Sequence, residues 1–364
     1  MKNMRKETKN NLITFGGTAV LFIVLAVLAS AGVLSSSLTG ILPTVGVYVI
    51  LAVSLNLTVG VLGELSLGHA GFMCIGAFTS GTVSLIFRES MQPGWLRFAI
   101  ALIAGGIMAA VFGILIGIPV LRLRGDYLAI VTLGFGEIIK SIAANIFLVS
   151  DKNGLHFGFI NAPKDIDKDT GKELLNGPLG MSPPRDTTIW IVVIVLLAAL
   201  IILMNFVDSK SGRACRAVRD NYIAAQSVGI NVTKYRLMAF TLSAAIAGIA
   251  GGLYAHSLSN ISASKFDYNL SILILVFVVL GGLGSMRGSI IATIILYALP
   301  ELFLRDLGNF RMLIYAIILI LIMLWKNAPF ILNFKKRIVA SSFVQRFINK
   351  LEKIEPTAGG APDE

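Results

Sequence analysis

The chain has 364 residues, 55% of them hydrophobic and only 14% charged, and its mean hydropathy is +0.81. Soluble domains carry about 25% charged residues, and a water-soluble fold of this length cannot hide so much apolar surface, so the composition excludes a soluble globular enzyme and asks for lipid as a solvent. Two cysteines, Cys74 and Cys215, exclude a disulfide scaffold, and the net charge of +11 is read as a positive-inside bias rather than nucleic-acid binding.

A membrane helix needs about 20 mainly apolar residues. Ten segments are predicted as spans: 12–32, 38–58, 70–87, 98–120, 127–148, 188–206, 237–257, 270–284, 288–304 and 310–325, the last three short. With the N-terminus inside, the basic residues fall on one side. These are Lys2, Arg5, Lys6 and Lys9, then Arg122 and Arg124, then Lys210, Arg213, Arg216, Arg219, Lys234 and Arg236, and then a tail from Lys326 to Lys353. An even number of spans with both termini cytoplasmic satisfies that pattern. Trp95, Trp190 and Trp325 stand at span edges, where aromatic belts form. The first segment has a rival reading as a signal peptide, because Ala29-Ser30-Ala31 resembles a cleavage site. Its apolar run is longer than the 7–15 residues of such peptides, and removing it would upset the charge alternation.

Between spans two and three lies Gly60-Val-Leu-Gly63-Glu64-Leu-Ser66-Leu-Gly68-His69-Ala70-Gly71-Phe72. Each Gly weakens a helix by about 1 kcal/mol relative to Ala, and bare backbone at membrane depth is tolerated only inside protein or along a watery cavity. One reading is a broken or re-entrant segment lining a path. The other is a cytoplasmic turn with Glu64 solvated. His69 also has a plain structural reading as a hydrogen-bonded histidine, and no spacing of His or Cys marks a metal site.

In the fifth span Glu137 falls roughly 15 Å deep, with Lys140 on the same face. A lone charge there costs about 2.5–3.5 kcal/mol on insertion scales, so the two are expected to pair. The pair serves as an interhelical tether or as polar lining for a zwitterion. Residues 149–187, with five basic and six acidic side chains, are expected outside as an irregular cap.

Residues 209–229 are predicted as one amphipathic cytoplasmic helix. Ser209 or Ser211 starts it, Gly229 ends it, and Ala214, Val218, Tyr222, Ala225 and Val228 form its apolar stripe. Such a helix lies on lipid headgroups or docks on a partner. In span seven, Ser243, Ala247, Gly251 and Ala255 form one ladder of small residues, and Ala244, Gly248 and Gly252 a second, which lets helices approach closely. A second Gly-rich interruption at 281–288 matches the first and hints at duplicated halves. Pro300 ends or kinks the ninth span, and Glu301 and Arg305 pair at its outer end.

Three runs carry a resemblance. They are Gly63-Glu64-Leu65-Ser66-Leu67-Gly68-His69-Ala70-Gly71-Phe72 with Ile75-Gly76-Ala77-Phe78, Leu121-Arg122-Leu123-Arg124-Gly125-Asp126-Tyr127-Leu128-Ala129-Ile130 with Thr132-Leu133-Gly134-Phe135-Gly136-Glu137, and Gly281-Gly282-Leu283-Gly284-Ser285 with Leu299-Pro300-Glu301-Leu302. The chain resembles the permeases of branched-chain amino-acid ABC transporters, and the larger of their two subunits in particular. The similarity runs from about residue 40 to 325 and implies an all-α polytopic membrane protein, and the charge pattern sets a permease domain over 1–335 before a basic cytoplasmic tail over 336–364. It implies a path past Gly63, Glu64, Ser66, Gly68, His69 and Glu137. The stretch from Gly212 to Asn231 resembles the segment that meets the ATPase, with Arg213, Ala214, Arg216, Val218, Asp220, Tyr222, Ala224, Ala225, Val228 and Gly229 as its coupling residues. Tyr222 stands where the family often has an acid.

The implied partners are a second related permease, two ATP-binding subunits, an extracytoplasmic solute-binding protein and membrane lipid, with no nucleic acid. The chain has no phosphate-cradling GxxxxGK[ST] loop, so it is expected to be no enzyme, to hold no cofactor and to leave ATP to its partners. The rival functions are an ion-coupled secondary transporter, with Glu64, His69 and Glu137 as a proton relay, and a passive channel for urea or short amides.

Overall fold

The computed structural model describes residues 2–33, 35–88, 91, 93–123, 125–151, 154–160, 172–298, 317 and 320. Two compact units divide the chain, Met1–Phe303 and Leu304–Glu364. All but two residues of the second lie outside the described set, and so do Arg124, Pro300, the Glu301–Arg305 pair, Trp325 and the tail 336–364.

The first unit is built from eleven helices and one small sheet among the described residues. The helices are α1 (Lys2–Ser30), α2 (Ser36–Asn56), α3 (His69–Ile86), α4 (Gly94–Val120), α5 (Asp126–Asn145), α6 (Ile189–Asp208), α7 (Lys210–Asp220), α8 (Tyr222–Ser227), α9 (Val232–Ser257), α10 (Tyr268–Gly281) and α11 (Met286–Thr293). Seven helical stretches are long and apolar enough to cross a membrane: Leu38–Val61, His69–Ile86, Gly94–Val120, Asp126–Asn145, Ile189–Asp208, Val232–Ser257 and Ala263–Gly281. They coincide with expected spans two to eight. The first and ninth correspond to the shorter apolar stretches Thr14–Ser30 and Met286–Ala298, and of the tenth only two residues are described.

Five successive helices, α7 to α11, each begin on a polar side chain that accepts a backbone N–H from the first turn: Ser209, Asn221, Asn231, Asp267 and Ser285 in order. Each cap satisfies donors that the helix leaves orphaned.

α9 is the centre of the bundle and packs on α2, α3 and α4. Its two ladders of small residues both lie in close packing, and the second is wedged between α3 and α4. Ala244, Gly248 and Gly252 meet α4 near Gly113, Gly105 and Leu102, while Gly251 lies against the carbonyl of Met73 in α3 and Ser243 Oγ donates to the carbonyl of Ser54 in α2 over 2.6 Å. A Cβ on Gly113 would stand 2.9 Å from the Cβ of Ala244, and one on Gly76 would strike the Gly248 backbone. Without a hydrophobic driving force between helices in lipid, this close backbone approach supplies the packing energy. The pairs Phe72–Phe240, Gly76–Gly248 and Ser80–Gly252 show that α3 runs parallel to α9, while Phe98–His256 and Gly117–Leu237 show that α4 runs antiparallel.

The sheet corrects the expected irregular cap. Strands β1 (Ile146–Asp151), β2 (Gly154–Phe159) and β3 (Lys172–Asn176) form an antiparallel sheet in the order β2-β1-β3. Expected span five took in residues up to 148, because Ile146-Phe147-Leu148 is as apolar as a helix segment. The β-branched and aromatic content of Ile146–Val149 and of Phe157 and Phe159 is the strand signal that was available. Met181 and Ile261 bridge the following loop to the loop after α9.

Candidate functional site

The Gly-broken segment lies at the end of the bundle that carries α7 and α8. After Asn56 the helix continues as a π-turn over Leu57–Val61. The chain then leaves helical geometry, turns at Gly63 with φ +80°, and re-enters a helix only at His69. Phe72 packs on Phe240, the ninth residue of α9. α3 therefore begins well inside the bundle, roughly 8 Å along α9 from its start. The segment joins two consecutive spans, as the turn reading has it, and it also carries bare backbone into the bundle. Three of its N–H groups find partners there: Glu64 N donates to the Thr58 carbonyl at 3.1 Å, Leu67 N to Thr132 Oγ1 at 3.0 Å, and Ala70 N to Ser271 Oγ at 3.1 Å. Gly68 and Gly71 let α5 close in, since a Cβ on Gly68 would stand 2.6 Å from the Thr132 carbonyl oxygen.

Glu64 is not simply solvated. It forms an ion pair with Arg236 of α9, and Arg236 also donates to the Leu121 carbonyl at 2.9 Å. Each charged side chain of the pair is 11% exposed. His69 is buried, with Nε2 2.7 Å from Ser54 Oγ. Ser66 is also buried.

The second Gly interruption touches the first. Asn56 Oδ1 accepts from Gly284 N at 2.8 Å, and its Nδ2 donates to Ser289 Oγ at 3.0 Å. A Cβ on Gly60 would strike both Asn56 and Gly284.

The predicted helix 209–229 is two helices, α7 and α8, with a break at Asn221. There the backbone is extended, at φ −157° and ψ 103°, and the side chain accepts from Ile223 N and Ala224 N to start a new helix. The predicted stripe is therefore not one face. Ala214, Val218 and Ala225 are buried within the chain, whereas Tyr222 and Val228 are exposed, as is Ile223. Ala224 and Gly229 are also exposed, and Gly229 ends α8 with φ +84°. α7 is held by its arginines: Arg213 donates to the Asp208 carbonyl at 2.7 Å, Arg216 to Val207 at 2.9 Å and Arg219 to Gly60 at 2.8 Å. Asp220 accepts from Arg219 at 3.1 Å. Beneath α7 lies a cavity of about 240 Å³, lined by Gly63, Glu64, Asp126, Val218, Tyr222 and Arg236 among others. Burial, and secondarily the Glu64 carboxylate, push the Cys215 thiol up to about 11.

Glu137 stands apart from this cluster. It pairs with Lys140, and its Oε1 accepts from Tyr268 N at 3.0 Å. It thus ties α5 to the first turn of α10, as the tether reading has it. Both charged side chains are partly exposed, Lys140 at 24% and Glu137 at 32%. No group of three or more His, Cys, Asp and Glu suited to a metal lies among the described residues.

Sequence reasoning missed Arg219 and Arg236 as individual residues. Both read only as members of a basic cluster, and no local signal names Gly60 or Glu64 as their partners.

Seven long apolar helices packed through small residues, with polar groups collected at two interruptions, define a multi-pass α-helical membrane protein of the transporter class. The family model for the permease component of the branched-chain amino acid transport system matches residues 37–324, so the chain belongs to that family. Over 295 residues it is 37% identical to the high-affinity branched-chain amino acid transport system permease protein LivM of Escherichia coli, covering 77% of this chain and 66% of that protein. It therefore spans just under two thirds of the length of that relative. It is 25% identical over 288 residues to LivH of the same organism, covering 74% of this chain and 88% of LivH. It is 26% identical over 238 residues to the nucleoside ABC transporter permease protein NupC of Lactococcus lactis, covering 63% of this chain and 71% of NupC. No solved structure matches.

Proposed function

We propose that this chain is one of two membrane-spanning subunits of an ATP-driven importer and that it carries branched-chain amino acids inward across the cytoplasmic membrane. The observation that carries this reading is the family match across residues 37–324, supported by 37% identity to a LivM protein. In this reading the chain has ten spans and cytoplasmic termini, as the positions of its Lys and Arg residues ask. α7 and α8 lie at the cytoplasmic face, and two ATP-binding subunits dock there. Tyr222, Ile223 and Val228 are the exposed apolar residues they meet. A solute-binding protein delivers substrate at the opposite end, beside the sheet.

The path passes the Gly-broken segment, with Gly63, Glu64, Ser66, Gly68 and His69, and continues along the flank of α5 that bears Glu137 and Lys140. Charges that are a quarter to a third exposed at mid-span depth are costly against hydrocarbon. That flank therefore faces the second permease subunit and the watery route between the two. The chain itself hydrolyses nothing and holds no cofactor.

The test is reconstitution in liposomes with the partner permease, the ATPases and the binding protein. ATP-dependent uptake of labelled leucine, isoleucine and valine is the expected result. Uptake by this chain alone, without ATP, would support a secondary transporter or a channel instead. Preference for a nucleoside would overturn the substrate.

A further inference from the structure

Resting on that functional reading, we infer that Arg219 is the positioning residue that links the ATPase-docking helix to the two glycine interruptions of the membrane domain, and that it does so by holding the Gly60 carbonyl. Four observations meet at this point. Arg219 lies in the last turn of α7, and its guanidinium donates to the carbonyl of Gly60, which lies in the π-turn 159 residues earlier. Its aliphatic stem fills the space beside Gly63, where a Cβ would collide with the arginine Cγ, and Gly63 has the left-handed φ of +80° that favours glycine. The same guanidinium reaches the second interruption, with Nη1 3.8 Å from where a Cβ on Gly284 would sit. Asn56, one residue before the π-turn, fastens that second interruption through Gly284 N and Ser289 Oγ.

The two interruptions therefore form one joint, and α7 is pinned to it. A π-turn is a helix segment with one register step in hand, and such turns recur at functional sites. A carbonyl in it that is freed from the regular helical pattern is a natural handle for a charged donor. A displacement of α7 draws on the Gly60 carbonyl. From there it passes to the Gly63 turn and the Glu64–Arg236 pair, and then to His69 at the start of α3. The other arginines of α7 do not reach this joint, because Arg213 and Arg216 donate to the end of α6. They anchor the helix, whereas Arg219 connects it.

The test compares Arg219→Lys with Arg219→Met in the complete importer, in proteoliposomes supplied with the binding protein. Lysine keeps the stem and one charged donor, and methionine keeps the stem alone. Solute taken up per ATP hydrolysed is the reading, alongside the amount of ATPase subunit bound. The expected result is that both variants bind the ATPases as the wild type does. The lysine variant should retain at least a third of wild-type coupling, and the methionine variant should lose tenfold or more while still hydrolysing ATP. Equal coupling in the two variants overturns the inference. So does loss of bound ATPase in the methionine variant, which would make Arg219 a docking contact. Hydrogen exchange of residues 57–68 in the assembled complex gives a second reading. Faster exchange there in the methionine variant, with α4 unchanged, is expected, and unchanged exchange overturns the link. Failure of the broader reading looks different, because wild-type uptake would then not depend on ATP at all.

Discussion

Glu64 and Arg236 are 172 residues apart in the chain and meet as an ion pair that is nearly shut off from solvent, with 11% of each side chain exposed. The pair joins the Gly-broken segment to the first turns of the central helix, and Arg236 extends the contact to the end of α4 through the Leu121 carbonyl. Removing one member of a buried pair strands the other and costs about 3–5 kcal/mol, whereas removing both costs far less than the sum.

Glu64→Ala and Arg236→Ala are therefore each expected to lower the unfolding temperature of the detergent-solubilised chain sharply. The double variant Glu64→Ala/Arg236→Ala should recover part of the loss. Thermal unfolding of the four proteins gives the coupling energy directly. Strictly additive losses would mean that the two residues act independently.

What was legible in the sequence follows from the range of the forces involved. Spans two to eight were readable because burial in lipid demands long apolar runs, and the small-residue ladders of α9 were readable because their spacing is helical. The sheet after α5 was lost because Ile146-Phe147-Leu148 is apolar enough for either structure. The break at Asn221 was lost because a cap and an ordinary polar helix residue look alike along one stripe. The contacts that organise the site, Glu64–Arg236, Arg219–Gly60 and Asn56–Gly284, join residues more than 150 positions apart. No local periodicity encodes them.

His69 is expected to matter for passage rather than for insertion. It stands at the first position of α3, buried, with Nε2 2.7 Å from Ser54 Oγ, and the Ser54 carbonyl is in turn held by Ser243 of α9. Ser54 Oγ also donates to Leu51, so it keeps a partner when the imidazole is removed. His69→Ala should leave membrane insertion and complex assembly intact and reduce uptake tenfold or more. His69→Gln, which can still reach a hydroxyl, should keep more activity. Wild-type uptake by His69→Ala at equal protein level would sink the assignment.

Cys215 is fully buried between α7 and α9, with its thiol against the Tyr235 carbonyl at 3.5 Å, and burial raises it to about 11. Because the thiolate is the nucleophile, maleimide at neutral pH should not label it in the folded chain. Labelling should appear on denaturation, and a cysteine placed at exposed Val228 should react at once. The unfolded thiol loses its proton near 9 while the folded one keeps it, so this group's contribution is intact below pH 9 and is lost as pH rises towards 11. Rapid labelling of native Cys215 at neutral pH would mean that α7 does not stay seated on the bundle.

The division of residues 209–229 into α7 and α8 changes which residues test the proposed docking of the ATPases. Ala225 is 4% exposed and turned into the chain, so Ala225→Glu should damage folding and lower the amount of inserted protein. Val228 is 75% exposed and Ile223 63%, on a short helix fixed at its start by Asn221. Apolar side chains this open at the face assigned to the ATPases are the anchors a partner groove would take, and a carboxylate buried there without a partner costs several kcal/mol. Val228→Asp and Ile223→Asp should insert normally and melt like the wild type, yet release the ATPase subunits from the membrane or let them hydrolyse ATP without uptake. Gln226→Glu, at a residue that is exposed and already polar, should do less. If α8 instead lies on lipid headgroups, all three variants keep their ATPases bound and coupled, and only binding to anionic lipid weakens. Pull-down of the ATPase subunits and uptake in vesicles separate the two outcomes. Full coupling in both aspartate variants would remove α8 from the docking surface.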